Sequence, residues 1–316
     1  MRVGARRDKV QIVMSTFNGE KYLAEQLNSL MEQTHSHRCI TIRDDGSSDS
    51  TSTIINEFVF KYPSEFKVFY KKNIGVIASF FELLTNYVHD DTDYVCFCDQ
   101  DDVWKPHKLE RGIRYLNQFS GDEPVMYFTP TLMVNETLQP INSWPPSPHR
   151  RTSFFNALVE NVAVGATIMI NRPAIDLIKV KPPHPKNIVM HDWWVYLVVS
   201  AFGKVVYDKE ESIYYRQHQN NVVGGQSGIV DMWVQKWRNY QKHCESKIYW
   251  NQAKEFERCW GEHLPAKLRA ELHEFLLPDR GFLKRTKYAL STSLYRQSTL
   301  DNLLLRLMMI RGDIIK

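Results

Sequence analysis

Asp93-Tyr94-Val95-Cys96-Phe97-Cys98 runs directly into Asp99-Gln100-Asp101-Asp102, and this stretch decides how the rest of the chain is read. The apolar half has the length and character of a buried strand, with Cys96 and Cys98 on alternate positions and so on one face. It empties at once into three carboxylates within four residues. Carboxylates that close repel one another and stay ionised at low cost only if a cation joins them. Their hard oxygens suit Mg²⁺ or Mn²⁺, ions that usually also take oxygens from a substrate diphosphate. The plainer alternative is a solvated acidic turn that caps a helix beginning near Lys105.

Upstream, the same strand-then-polar-loop unit repeats. Val10–Met14 reads as a buried strand ending at Ser15-Thr16-Phe17-Asn18-Gly19, followed by a helical period from Glu20 to Glu32. Cys39–Ile42 is broken by Asp44-Asp45-Gly46-Ser47-Ser48-Asp49 before a helix from Ser50 to Phe60. Lys67–Tyr70 leads through Asn73-Ile74-Gly75 to a helix ending at Tyr87. Alternating strands and helices imply a parallel, helix-flanked sheet. In such sheets ligands bind outside the carboxyl ends of the strands, which places a nucleotide-binding half in the first hundred or so residues.

Downstream the pattern loosens. Val125–Val134 and Val164–Ile170 each read as one strand, and a helix starts at Arg172-Pro173-Ala174. A stiff Pro182-Pro183-His184-Pro185 segment delivers the chain to His191-Asp192-Trp193-Trp194 and a helix carrying Leu197, Val198 and Ala201. A strand at Lys204–Tyr207 follows, and from Val230 the pattern is almost wholly helical.

Composition bounds the class. The 316 residues are 43% hydrophobic and 24% charged, ordinary for a globular protein. A net charge of +4 is too small to argue for nucleic acid, but its placement is uneven. Residues 279–316 hold eight Lys/Arg against three acids. The five cysteines show no CxxC pairing or Cys/His ligand spacing, and read as free thiols in a reducing compartment. The basic start leads into a strand pattern, with no signal-peptide core. No run of apolar residues is long enough to span a bilayer. A cytosolic protein is expected, and the Asn135-Glu136-Thr137 sequon is without consequence there.

Taken together, the motifs resemble family 2 inverting glycosyltransferases of the GT-A fold. Ser15–Gly19 is similar to that family's opening strand-end motif, Asp44-Asp45-Gly46-Ser47-Ser48-Asp49-Ser50-Thr51 to its nucleoside-binding loop, and Asp99-Gln100-Asp101 to its DxD motif. The resemblance covers roughly residues 8–225. It implies that Asp44 or Asp45 bonds the base with Thr16 and Asn18 nearby, and that Asn73 belongs to a loop near the base. It implies that Asp99 sits by the ribose and metal, that Asp101 ligates the metal, and that Asp192 takes the proton from the acceptor hydroxyl. The family often has Glu where this chain has His191. Within Tyr215-Arg216-Gln217-His218, the resemblance implies His218 as a further metal ligand, with Arg216 either facing the diphosphate or pairing with an acid. An Arg common a few residues after the Asn73 loop is absent here. The DQDDVW, HDWW and YRQH segments look most like rhamnosyltransferases of O-antigen and rhamnose-rich wall polysaccharide synthesis, implying dTDP-L-rhamnose as donor.

The expected architecture is therefore α/β: a GT-A domain over residues 1–225 and a helical extension over 226–316. The expected activity is metal-dependent (Mn²⁺ or Mg²⁺) transfer of a sugar to a hydroxyl of a glycan or polyprenyl-linked acceptor. A UDP-hexose donor and a catalytically silent sugar-nucleotide-binding scaffold are the alternatives. A nucleotidyltransferase or P-loop NTPase is disfavoured, because Ser15–Gly19 is not a Gly-rich phosphate loop. The basic tail mixes with Phe282, Tyr288, Leu290, Leu294, Leu303, Leu304, Leu307 and Met308. That pattern fits either an anionic membrane surface on the inner face of the plasma membrane, or packing on the catalytic domain or a second subunit, as in a homodimer.

Overall fold

The computed structural model describes residues 8–217, 247–277 and 281–314. The chain divides into two compact units: residues 1–147, 163–180 and 203–221 form the first, and 148–162, 181–202 and 222–316 the second. Two internal segments thus group with the C-terminal residues.

The first unit is built on a seven-stranded sheet. Its elements in chain order are β1 (Val10–Thr16), α1 (Leu23–Met31), β2 (Arg38–Asp44), α2 (Thr51–Lys61), β3 (Phe66–Tyr70), α3 (Val76–Asn86) and β4 (Tyr94–Cys98). These are followed by β5 (Val103–Trp104), α4 (Lys108–Leu116), β6 (Val125–Phe128), β7 (Thr131–Val134) and β8 (Pro140–Trp144). The strand order β10-β6-β9-β4-β1-β2-β3 uses two later strands, β9 (Met169–Asn171) and β10 (Lys204–Tyr207). All neighbours pair parallel except β9, which runs antiparallel to both β4 and β6. The sheet is covered by apolar faces of helices, with Leu23, Leu27 and Leu30 of α1, Ile55 of α2 and Leu109 of α4 fully buried against Ile12, Met14, Ile40 and Cys96. Cys96 and Cys98 share that core, on one strand face as their alternation requires. Both are free thiols.

The order places β1 between β2 and β4, so the chain winds outward through β2 and β3 and then returns to the other side of β1. That reversal opens a crevice at the carboxyl ends of β1 and β4. Register aligns its contents: Thr16 pairs with Asp44, Asp44 with Tyr70, and Met14 with Cys98, the residue before Asp99.

Three expectations are corrected. The segment Val125–Val134 is two strands, because Pro130 has no N–H to give a ladder; β6 stays in the large sheet and β7 enters a second one. The segment Val164–Ile170 begins with a 3-10 turn over Gly165–Thr167, where the backbone and hydroxyl of Thr167 both donate to the Val164 carbonyl. The helix expected from Lys105 starts at Lys108, because Val103 and Trp104 pair with β11 (Ile213–Arg216). The second sheet has the order β5-β11-β7-β8.

In the second unit, α5 (Phe154–Ala157) and α7 (His191–Phe202) precede α8 (Ile248–Trp260), α9 (Ala266–Leu276), α10 (Phe282–Ser291) and α11 (Thr299–Arg311); α6 (Arg172–Val180) belongs to the first unit. Helix α7 is apolar on every face, and it is accordingly buried almost throughout. Among the described residues no helix is long and apolar enough to cross a membrane.

Candidate functional site

At the strand ends of the first unit, two loops are laced together by side chains. The Thr16 hydroxyl donates to Asp44 Oδ1 at 2.9 Å, and Asp44 Oδ2 accepts from the Ser47 backbone N–H at 3.0 Å. Asn18 holds a left-handed backbone (φ 48°), and its Oδ1 accepts from Ser48 N–H at 2.9 Å while its own N–H donates to Ser47 Oγ. Gly19 N–H reaches Thr51 Oγ1 at 2.8 Å. Helix capping does not account for Asp44 and Asp45, since Asp49 accepts from Thr51 N–H at the start of α2.

Asp45 faces the next loop. Its Oδ1 accepts from Ile74 N–H at 2.8 Å and its Oδ2 from Gly75 N–H at 2.9 Å. Gly75 has φ +84° and Gly46 φ +82°, conformations that favour glycine. Arg43, 2% exposed, donates to Asp45, to Glu82 Oε2 at 3.0 Å and to the Lys72 carbonyl at 3.0 Å. The loop carrying Asn73 is therefore fixed from within by a buried ion-pair cluster, and Asn73 itself lies exposed. Replacing Arg43 by Met strands two carboxylates, one of them buried. Breaking a buried pair in this way costs about 3 kcal/mol. A denaturation series on Arg43→Met should show that loss together with weaker nucleotide binding, and unchanged stability would dismiss the cluster as a brace.

The acid loop after β4 is held to the first loop by Gln100, whose Oε1 accepts from Phe17 N–H at 2.8 Å and whose Nε2 donates to the Phe17 carbonyl at 3.1 Å. A Cβ on Gly19 would lie 2.5 Å from Gln100 Oε1, so a side chain there would displace the Gln100 amide from Phe17.

The three carboxylates are not equivalent. Asp102 is 1% exposed and turns into the protein, accepting from Arg216 N–H at 3.3 Å. Burial, reinforced by Asp101 and Asp99, pushes its carboxyl well above the ordinary range. Asp99 and Asp101 remain partly exposed on the loop. Arg216, read as facing a diphosphate or pairing with an acid, pairs with an acid. It is 2% exposed, ion-pairs with Glu25, donates from Nε to the Asp101 carbonyl at 3.1 Å, and lies over the Tyr22 ring. It thereby fastens the backbone that presents Asp101.

Among the described residues no group of three or more His, Cys, Asp and Glu side chains is placed to hold a metal ion. Asp99 and Asp101 nonetheless supply two hard carboxylates at the crevice, the usual protein share for Mg²⁺ or Mn²⁺ when phosphate oxygens complete the shell. His218 lies outside the described residues.

In the second unit Asp192 occupies the first turn of α7, 8% exposed, with Oδ1 accepting from Trp193 N–H at 2.6 Å. Trp193 and Trp194 anchor that turn, the first through Nε1 to the Ala157 carbonyl at 2.7 Å and the second edge-on to Phe256. Burial pushes the His191 imidazole down to about 3, so it is neutral near pH 7 and places no cation beside Asp192.

A doubly wound sheet with a carboxylate loop at its switch point and GT-A structural neighbours defines a GT-A glycosyltransferase fold. The profile of Glycosyl transferase family 2 matches residues 11–178, more than half of the chain, and the protein belongs to that family. It is 30% identical over 223 residues to the dTDP-rhamnosyl transferase RfbG of Shigella flexneri, spanning 67% of this chain and 73% of the relative. It is 25% identical over 164 residues to the putative teichuronic acid biosynthesis glycosyltransferase TuaG of Bacillus subtilis, spanning 52% of this chain and 62% of the relative. Among solved structures, S. aureus TarS 1-349 in complex with UDP superposes with a TM-score of 0.58 at 15% identity, covering 97% of this chain and 80% of that one. The mannosyltransferase PcManGT of Pyrobaculum calidifontis, in complex with GDP-Man and Mn²⁺, does so at 0.54 and 12% identity, covering 98% and 83%.

Neither Arg43 nor Gln100 was singled out from the sequence. A charged residue inside the apolar run before Asp44-Asp45 was the available signal for Arg43; for Gln100 there was none.

Proposed function

We propose that this chain is an inverting glycosyltransferase that moves L-rhamnose from dTDP-L-rhamnose onto a hydroxyl of a cell-surface polysaccharide or its lipid-linked precursor. The observation that carries the reading is the gathering of Thr16, Asp44, Asp45, Asp99 and Asp101 at one switch point of the sheet. The donor is supported by the Shigella rhamnosyl transferase at 30% identity, and the acceptor class by the putative teichuronic acid biosynthesis relative of Bacillus subtilis.

Asp44 and the backbone it holds bind the base, and Asp45 keeps the Asn73 loop against it. Asp99 and Asp101, joined in this reading by His218, would hold a divalent ion, whose charge would stabilise a departing diphosphate. Arg216 keeps Asp101 in place. Asp192 accepts the proton of the acceptor hydroxyl as that oxygen attacks the anomeric carbon from the face opposite the diphosphate, so the C–O bond to the acceptor forms as the bond to the diphosphate breaks. Trp193 and Trp194 fix the turn that carries Asp192, leaving the carboxylate little freedom to rotate.

The stereochemical outcome tests the scheme. With dTDP-L-rhamnose and a rhamnose-terminated oligosaccharide acceptor, nuclear magnetic resonance of the product should show the anomeric configuration inverted relative to the donor. Retention would eliminate single displacement. Turnover of a UDP-hexose with dTDP-L-rhamnose inert would keep the transferase and replace the donor.

A further inference from the structure

Of the large apolar side chains that stand exposed among the described residues, a cluster falls on the last two helices: Phe282, Leu283 and Leu290 on α10, and Leu300, Leu303 and Leu307 on α11. Leu283 and Leu290 are 81% and 79% exposed and sit two turns apart, hence on the same side of α10. Leu300, Leu303 and Leu307 follow the i, i+3, i+7 spacing of a single helical stripe.

These side chains do not hold the helices together. The inner faces do that, through buried Tyr288, Ala289, Leu305, Met308 and Met309. Arg306 adds a brace, donating to the carbonyls of Ala289 at 2.8 Å and Leu294 at 2.7 Å, and Glu271 accepts from Tyr288 Oη and Ser293 N–H. The outward leucines are surplus to a pair that is already closed.

Charge selects what they meet. Of the five Lys/Arg that the two helices carry against one acid, Asp301, Arg306 is spent on the inward brace and Arg311 pairs with Asp313 just beyond α11. Lys284 and Lys287 are exposed on the same helix as Leu283 and Leu290. A second copy docking through this face would set like charges against each other across a self-complementary interface. A surface of anionic phospholipid headgroups over acyl chains offers both complements: negative charge for the lysines and hydrocarbon for the leucines. We infer that the outward faces of α10 and α11 form a peripheral docking surface for anionic lipid bilayers. The inference is independent of the donor and acceptor, and vesicle binding is read separately from transfer.

The test is sedimentation of the full chain with phosphatidylcholine vesicles with and without phosphatidylglycerol. Binding should require phosphatidylglycerol and weaken as salt is raised. Lys284→Glu/Lys287→Glu should reduce it by roughly tenfold or more, given about fivefold per basic residue near an anionic surface. Leu283→Ser/Leu303→Ser should reduce it comparably, while donor hydrolysis and the melting temperature hold. Because both pairs replace exposed side chains, a folded variant is expected in each case, and the lysine pair stands as the second measure if the leucine pair misfolds. No binding to anionic vesicles, or equal binding by wild type and both variants, would overturn the inference. A shift from dimer to monomer in light scattering on Leu283→Ser/Leu303→Ser, without vesicle binding by the wild type, would assign the face to self-association instead.

Discussion

Asp192→Asn should reduce turnover by about a thousandfold, within the range general-base catalysis supplies, while leaving donor affinity within about twofold on the same argument that the base acts on the acceptor. The substitution is nearly isosteric. Asparagine keeps an oxygen to accept from Trp193 N–H, the bond that Asp192 Oδ1 makes at 2.6 Å, so the first turn of α7 should survive. What is lost is the ability to take a proton. Two measurements separate the effects: donor binding followed by isothermal titration stays, and acceptor-dependent product formation goes. If Asp192→Asn turned over at near the wild-type rate, the base would have to be sought elsewhere. Burial pushes His191 down to about 3, which leaves its neutral imidazole too weakly basic to serve as the proton acceptor in place of Asp192.

The second large effect belongs to the acid loop. Asp101→Ala should lower turnover by two orders of magnitude or more, because stabilisation of a departing diphosphate by a divalent ion amounts to several kcal/mol and each 1.36 kcal/mol is tenfold in rate. Asp99→Ala should have an effect of the same sign. Asp102→Asn should act differently: Asp102 is buried and its carboxyl is pushed well above the ordinary range, so an amide there costs less in charge than at an exposed carboxylate. Its effect should appear in stability and in the seating of Arg216 rather than in the requirement for a divalent ion. Measuring rate against Mn²⁺ concentration for all three variants distinguishes them. A rate in Asp101→Ala that saturates at the same Mn²⁺ concentration as wild type would remove Asp101 from the ion's ligands.

Much of the first unit was legible because its signals are local. Apolar runs such as Val10–Met14 end at polar loops within a few residues, and that alternation suffices to order β1 to β4 and to put Thr16, Asp44 and Asp99 at strand ends. What was not legible depends on partners distant in sequence. Nothing near Asp45 announces that Arg43 also reaches Glu82, 39 positions on, because that meeting exists only once α3 packs on β1 and β2. The different fates of Asp101 and Asp102 were hidden for a related reason: the residue types are identical, and only the turn of the loop toward Arg216 sends one inward. The antiparallel entry of β9 was invisible because a buried run carries no sign of its direction. The grouping of 148–162 and 181–202 with the C-terminal residues likewise rests on contacts between segments distant in sequence.

In the proposed reading these carboxylates serve glycosyl transfer rather than mere nucleotide binding. Release of nucleoside diphosphate from a panel of sugar nucleotides, including dTDP-L-rhamnose, UDP and GDP hexoses, tests it most directly, with Mn²⁺ or Mg²⁺ and short synthetic glycans as acceptors. Acceptor-dependent release from one donor, abolished by chelator and by Asp192→Asn, is the expected result. Donor binding without release across the acceptor panel would contradict it and identify a protein that holds a sugar nucleotide without transferring the sugar.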